Sequence, residues 1–214
     1  MRLFFAITLP DDARSQLAAV QAAVRARVDS ARMGGPGADA RGAGVRWVDA
    51  ANPHVTLRFL GNVPPERLEA VREAGREAAR RRPPFLMTLG GFGTFPPRGP
   101  ARVFWAGVAG GLPECARLAE YLDEALAARG FAADHEAGGR PGSRRPAFHV
   151  TLARIKSAEA GLAIARALDS RIVPKVDKEI GISVYNVEQI DSDLRPGGPI
   201  YTVMESFPLT GPGS

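Results

Sequence analysis

The chain has 214 residues, of which 45% are hydrophobic and 24% charged, which excludes wholesale disorder and leaves room for one medium domain or two small lobes sharing a core. No apolar run approaches the ~20 residues of a membrane helix, and a single cysteine, Cys115, excludes both an internal disulfide and a cysteine-framework zinc site. The formal charge is +5, but only Lys156, Lys175 and Lys178 of the 28 basic residues are lysine; in so Gly- and Pro-rich a chain, the arginines report a GC-rich coding sequence as readily as a polyanionic partner.

Residues 3–9 read as a strand. Pro10-Asp11-Asp12 cuts this apolar stretch too early for a secretory segment, so a cytoplasmic location is expected. Asp11 and Asp12 favour the first turn of a helix, and Leu17, Val20, Val24 and Val28 carry its apolar stripe to about residue 30. A Gly-rich loop at 33–44 lacks the Gly-Lys-Ser/Thr ending of a phosphate-binding loop. Residues 45–49 and 54–60 read as strands, followed by a helix opened by Pro64-Pro65, with Leu68, Val71, Ala74 and Ala78 on one face. Residues 85–95 and 102–108 read as paired strands around a Pro-rich turn. Cys115, Leu118, Leu122 and Leu126 mark a helix ended by Gly130. A second loop at 134–146 leads to a strand at 148–155, a helix at 158–168, and strands at 179–189 and 200–207. Residues 210–214 are a polar tail, outside the expected domain at 1–209. The mixture without strict alternation predicts an α+β fold with antiparallel sheets.

Of the three histidines, two open the same tetrapeptide: His54-Val55-Thr56-Leu57 and His149-Val150-Thr151-Leu152. A coincidence of this kind is expected on the order of once in a thousand, so an internal repeat explains it better. Each copy sits in an apolar strand with a helix start about ten residues on, and the two lie close to half a chain apart. Alternation along a strand places His54 with Thr56, and His149 with Thr151, on one face, and sends Val55, Leu57 and Phe59, and Val150 and Leu152, to the core. Halves packed about a pseudo-two-fold axis would then present two imidazoles and two hydroxyls across a groove. Histidine titrates near neutrality, so one imidazole can act as base and the other as acid. Threonine hydroxyls suit the non-bridging oxygens of a phosphate. Two histidines without a repeated carboxylate or cysteine are a poor zinc ligand set, so no metal and no cofactor are expected.

The segments Pro53-His54-Val55-Thr56-Leu57-Arg58-Phe59-Leu60-Gly61 and Phe148-His149-Val150-Thr151-Leu152-Ala153-Arg154 resemble the paired His-x-Thr-x signatures of the 2H phosphoesterase superfamily, in its RNA 2′,3′-cyclic phosphodiesterase (2′-5′ RNA ligase) branch. The likeness extends to Arg2 through Pro10, to Trp47, to Arg102-Val103-Phe104-Trp105 and to Gly198-Pro199-Ile200-Tyr201. The loops at 33–44 and 134–146 look long for the family, and Asn186-Val187-Glu188 departs from it, though Ser192 still aligns. The resemblance implies a bilobal α+β fold with antiparallel sheets lining a central cleft and helices outside. It implies metal-free opening of a 2′,3′-cyclic phosphate to a 2′-phosphomonoester, with His54 as acid and His149 as base. RNA with a cyclic phosphate end, or a cyclic nucleotide, would be the partner of a monomeric protein. It also implies that Arg154 contacts the phosphate, although strict alternation would put Arg154 on the face opposite His149.

Arg58 has the parity of His54 and is a weaker candidate for the same role. The Arg-rich loop 140–145 could steer RNA. His135, without a threonine partner, reads as surface. Trp47 and Trp105 read as core before base-stacking. The rival functions are the same chemistry on a small cyclic nucleotide, a non-catalytic RNA-binding module, and ligation of 2′-5′ bonds, the formal reverse of cyclic phosphate opening.

Overall fold

The computed structural model describes residues 1–32, 44–132, 148–169, 179–195 and 198–212. The Gly-rich segment 33–43 and residues 133–147, which hold His135 and the Arg-rich loop 140–145, lie outside the described residues.

The expected strands form β1 (Arg2–Thr8), β2 (Val45–Trp47), β3 (His54–Asn62), β4 (Phe85–Phe95), β5 (Val103–Gly110) and β6 (His149–Ile155). The run expected as one strand at 179–189 is instead two, β7 (Ile180–Val184) and β8 (Asn186–Arg195), and β9 (Gly198–Pro208) closes the set. β7 alternates apolar and polar residues, β8 does not, and no glycine or proline stands between them to mark the break. The break falls at exposed Tyr185, where the chain leaves β4 as partner and takes up β1.

Among the described residues, all nine strands join one sheet in the order β7-β4-β5-β6-β3-β1-β8-β9, with β2 beside β6. The order is a palindrome about the β6–β3 junction: β6-β5-β4-β7 on one side mirrors β3-β1-β8-β9 on the other. The helices are α1 (Asp11–Arg32), α2 (Leu68–Arg80), entered through a 3-10 turn at Pro65–Arg67, α3 (Leu112–Ala127) and α4 (Ala158–Asp169). Exchanging the halves turns α1 into α3 and α4 into α2, and the packing obeys this: α1 lies on α4, and α2 on α3. The fold is α+β, as expected, with two equivalent lobes.

The apolar stripes of the helices meet one face of the sheet. Leu17, Val20, Val24 and Val28 of α1, Val71, Ala74 and Ala78 of α2, and Cys115, Leu118, Leu122 and Leu126 of α3 are all buried there with Leu3, Phe5 and Ile7 of β1. The other face carries a small apolar cluster of Phe4, Ala6 and Ile190, with Tyr201 packed against it. Beyond β9, Thr210 and Gly211 hydrogen-bond through their amides to the Ala79 and Arg82 carbonyls at the end of α2. No helix among the described residues is long and apolar enough to cross a membrane.

Candidate active site

The two repeated tetrapeptides lie at the centre of the palindrome. β3 and β6 run antiparallel and pair through Val55 and Val150, the second residue of each copy. The registers on either side match. His54, Val55 and Thr56 face Thr8, Ile7 and Ala6 of β1; His149, Val150 and Thr151 face Gly107, Ala106 and Trp105 of β5. Val55, Leu57, Val150 and Leu152 are buried on the helix side, whereas His54, Thr56, His149 and Thr151 are only partly covered. All four expected polar side chains therefore share the face away from the helices.

Each motif is followed by the same irregularity. Pairing jumps from Thr56↔Ala6 to Arg58↔Phe5 in β3, and from Thr151↔Trp105 to Ala153↔Phe104 in β6, leaving Leu57 and Leu152 as the extra residues of two β-bulges. A bulge reverses the alternation beyond it. This reversal brings Arg154 back to the face of His149, which strict alternation denied it. The same reversal corrects two expectations. Phe59, expected in the core, is 42% exposed, at the position equivalent to Arg154. Arg58, which unbroken parity would place beside His54, points the other way and is 3% exposed. Its guanidinium pairs with Asp123 of α3 and donates to the carbonyls of Phe59 and Ala132, so it ties β3 to the helical layer. The second bulge has its own anchor: buried Gln21 of α1 donates to the Leu152 carbonyl at 2.8 Å and to the Val48 carbonyl at 2.9 Å.

The ring of His54 lies 5.0 Å from both Phe4 and Tyr201, edge-on to the latter. Its Nδ1 is 2.8 Å from the Asn52 carbonyl. Nδ1–H donation there makes Nε2 the unprotonated nitrogen of the neutral ring. Burial lowers the pKa of His54, the Asn52 carbonyl opposes this, and the nearby cations Arg154 and His149 lower it further. Arg154 thus acts across the lobe boundary, on the histidine of the other copy. Tyr201 is also held above its ordinary value by burial, with Arg154 and Arg2 pulling it down. His149 has different walls: Phe95 edge-on at 5.3 Å and Trp105 at 6.4 Å. Trp105 lies flat because its neighbours are glycines; a Cβ on Gly93 would come within 2.3 Å of the indole, and one on Gly107 within 3.2 Å.

The two tryptophans therefore part company. Trp47 packs edge-on against Phe104 in the core, as expected, whereas Trp105 is directly paired with Thr151 and walls the site. Tyr201 and Phe95 reach the site from β9 and β4, distant in sequence. Tyr201 lies in the segment that carried the family likeness, opposite Ser192 on β8, but nothing local marks it as a neighbour of His54. Glu188 is also on this side. Its buried carboxyl accepts the Thr8 amide at 3.2 Å and lies 3.4 Å from the Ser206 hydroxyl, and burial raises its pKa. Cys115 is remote: its thiol is buried beside Met87 and pushed up to about 12. Among the described residues, no three His, Cys, Asp or Glu side chains gather where they could hold a metal ion.

Comparison with known proteins agrees with this geometry. Residues 37–105 match the model of the family described as LigT like Phosphoesterase. An RNA 2′,3′-cyclic phosphodiesterase of Thermus thermophilus is 34% identical over 99% of this chain and 91% of its own length. One from Methanothermobacter thermautotrophicus is 30% identical over 98% and 99%. Among solved structures, TT0787 of Thermus thermophilus superposes with a TM-score of 0.70 at 31% identity, covering 99% of both chains. Escherichia coli LigT complexed with 3′-AMP superposes at 0.60 and 26%, covering 98% of both. The duplicated motif, the palindromic sheet and these relatives together place the chain among the LigT-like phosphoesterases of the 2H superfamily, as an enzyme of the RNA 2′,3′-cyclic phosphodiesterase family.

Proposed function

We propose that the chain hydrolyses the 2′,3′-cyclic phosphate end of RNA to a 2′-phosphomonoester, without a metal, and that His54 and His149 are its acid and base. His149 takes a proton from water, and the water oxygen attacks phosphorus. The bond from phosphorus to O3′ breaks, and His54 delivers a proton to that oxygen, leaving a free 3′-hydroxyl. One proton leaves the solvent side and one arrives on the leaving group, so the pair is reset by exchange with solvent. Thr56, Thr151 and Arg154 hold the non-bridging oxygens and meet the charge that develops on them. An RNA 5′-hydroxyl in place of water would give a 2′-5′ bond by the same proton movements.

The observation that carries this reading is the equivalence of the two histidines: same strand position, same face, same bulge beyond, joined at the Val55–Val150 pair. The test is a product assay on RNA ended by a 2′,3′-cyclic phosphate, with chelator present. A 2′-phosphate end is expected. A 3′-phosphate, or turnover that stops with chelator and returns with added zinc or manganese, would overturn it.

A further inference from the structure

The wall beside His149 holds a ring that the scaffold does not require. Trp105 stands opposite Thr151, as Ala6 stands opposite Thr56 in the other copy. Ala6 is fully buried, whereas Trp105 is only partly covered. Room for the indole is made by glycine. Gly93 is its direct partner on β4, Gly107 follows along β5, and a Cβ on either would press on the ring. Glycine inside a strand weakens it and marks a place where something approaches closely. The indole Nε1–H is buried and meets no acceptor among the described residues. A buried tryptophan N–H usually finds a partner, and one left without it costs stability. Leucine would pack the same position with neither cradle nor acceptor. What the indole adds is an apolar face, lying over the two glycines, with Phe95 tilted against it at 5.3 Å. The complement of such a surface is another planar aromatic ring.

In the hydrolytic reading, His149 stands on the side from which the nucleophile reaches phosphorus. Water brings nothing to stack there; a 5′-hydroxyl brings a nucleoside. We propose that Trp105 is the stacking platform for the base of a nucleoside whose 5′-oxygen takes the place of the water, and so sets how well that oxygen competes with water. This rests on the hydrolytic reading and on His149 as its base. In the bond-breaking direction, the 3′-hydroxyl of a 2′-5′ diester gives its proton to His54 and attacks phosphorus. The bond from phosphorus to O5′ breaks, and His149 protonates that oxygen. The products are a cyclic phosphate end and a nucleoside that leaves the indole.

The experiment compares wild type, Trp105→Leu and Trp105→Phe on 2′-5′-linked diadenosine monophosphate and on adenosine 2′,3′-cyclic phosphate. Both reactions use the same two histidines, so general damage to the site lowers both rates and cancels in their ratio. The ratio of kcat/KM, dinucleotide to cyclic nucleotide, should fall about 5- to 100-fold in Trp105→Leu, the range for one base stacked on an aromatic ring, and less in Trp105→Phe. An unchanged ratio would overturn the proposal. Binding gives a readout that needs no turnover. The dinucleotide should quench the tryptophan emission of wild type more than adenosine 2′-phosphate does, and Trp105→Phe, which keeps only Trp47 in the core, should lose that difference. If wild type turns over neither substrate, the hydrolytic reading fails; there, or where only the dinucleotide resists cleavage, the emission still decides the platform. Quenching by the dinucleotide no greater than by adenosine 2′-phosphate would overturn it.

Discussion

The first and second copies of the motif are the same in scaffold and different in surroundings. Both place histidine and threonine on the cleft face, valine at the pseudo-axis, and a bulge at the following leucine. They diverge at every position that the scaffold leaves open. Beyond the bulge, the first copy has Arg58 turned into the core and Phe59 out, and the second has Ala153 in and Arg154 out. His54 sits against Phe4 and Tyr201, and His149 against Phe95 and Trp105. A strictly symmetric site would give both imidazoles one pKa, and acid–base catalysis needs them in opposite protonation states. Burial is the largest cause that lowers the pKa of His54, and the cation of the second copy, Arg154, lowers it further. Duplication builds the pair, and divergence gives each histidine its own surroundings.

The strongest way to break this comparison is to remove the histidines. His54→Ala and His149→Ala should each lower kcat/KM by about 10²- to 10⁴-fold, and the double variant should lose little more, because the two act as a unit. Steady-state rates on a 2′,3′-cyclic nucleotide decide it. A single variant with near wild-type turnover would remove that histidine from the mechanism.

The two arginines offer a sharper contrast, since a bulge separates their fates. Arg154→Ala should lower kcat/KM roughly tenfold or more, the cost of one charge-assisted contact to phosphate. It should also move one limb of the pH profile. Arg154 lowers the pKa of His54, so its removal raises that pKa, and the limb of kcat/KM that reports His54 in the free enzyme shifts to higher pH. A limb that stays in place would show that Arg154 does not act on His54. Arg58→Ala should do the reverse: leave the limbs in place and cost about 2–4 kcal/mol of stability, because Asp123 and two carbonyls lose a buried partner. In a chain of this size that is a fall in Tm of roughly 5–15 °C. A shifted limb with an unchanged Tm would place Arg58 in the site after all.

These contrasts also show which parts of the molecule were legible in sequence. Local periodicity placed the four helices, since Leu17 to Val28 and Cys115 to Leu126 are buried as their spacing requires. The repeat placed the histidines, and with them the pseudo-two-fold arrangement. The bulges were not legible, because Leu57 and Leu152 are ordinary strand residues and only the pairing with β1 and β5 makes them extra. The parity of Arg58, Phe59 and Arg154 could not be settled without them. Tyr201, Phe95 and Trp105 were equally hidden as walls of the site, because β9, β4 and β5 approach the histidines only through the sheet order.

The smallest expected effect concerns Glu188, which has no counterpart among the groups that carry the chemistry. Its buried carboxyl accepts the Thr8 amide, and Thr8 is the residue directly opposite His54. Burial raises its pKa above the ordinary value of 4.5, outweighing the bonds from Thr8 and Ser206. The folded state therefore binds a proton more tightly than the unfolded one. Between the unfolded pKa and the raised folded pKa, the native chain carries more protons, so this group's contribution to stability declines as pH rises through that interval and is level above it. Glu188→Gln keeps an oxygen for the Thr8 amide and removes the ionisation. The variant should match wild type near pH 4, where both side chains are neutral, and gain on it as pH rises, reaching about 1 kcal/mol at pH 7, the scale of an imperfectly compensated buried polar group. Thermal melts of both proteins across that range give the difference directly, with a rise of roughly 2–4 °C in Tm expected at pH 7. Other titrating groups, His54 included, are common to both chains and cancel. A variant less stable than wild type at pH 7 would mean that the ionised carboxylate stabilises the β1–β8 pairing, the opposite of what its burial requires.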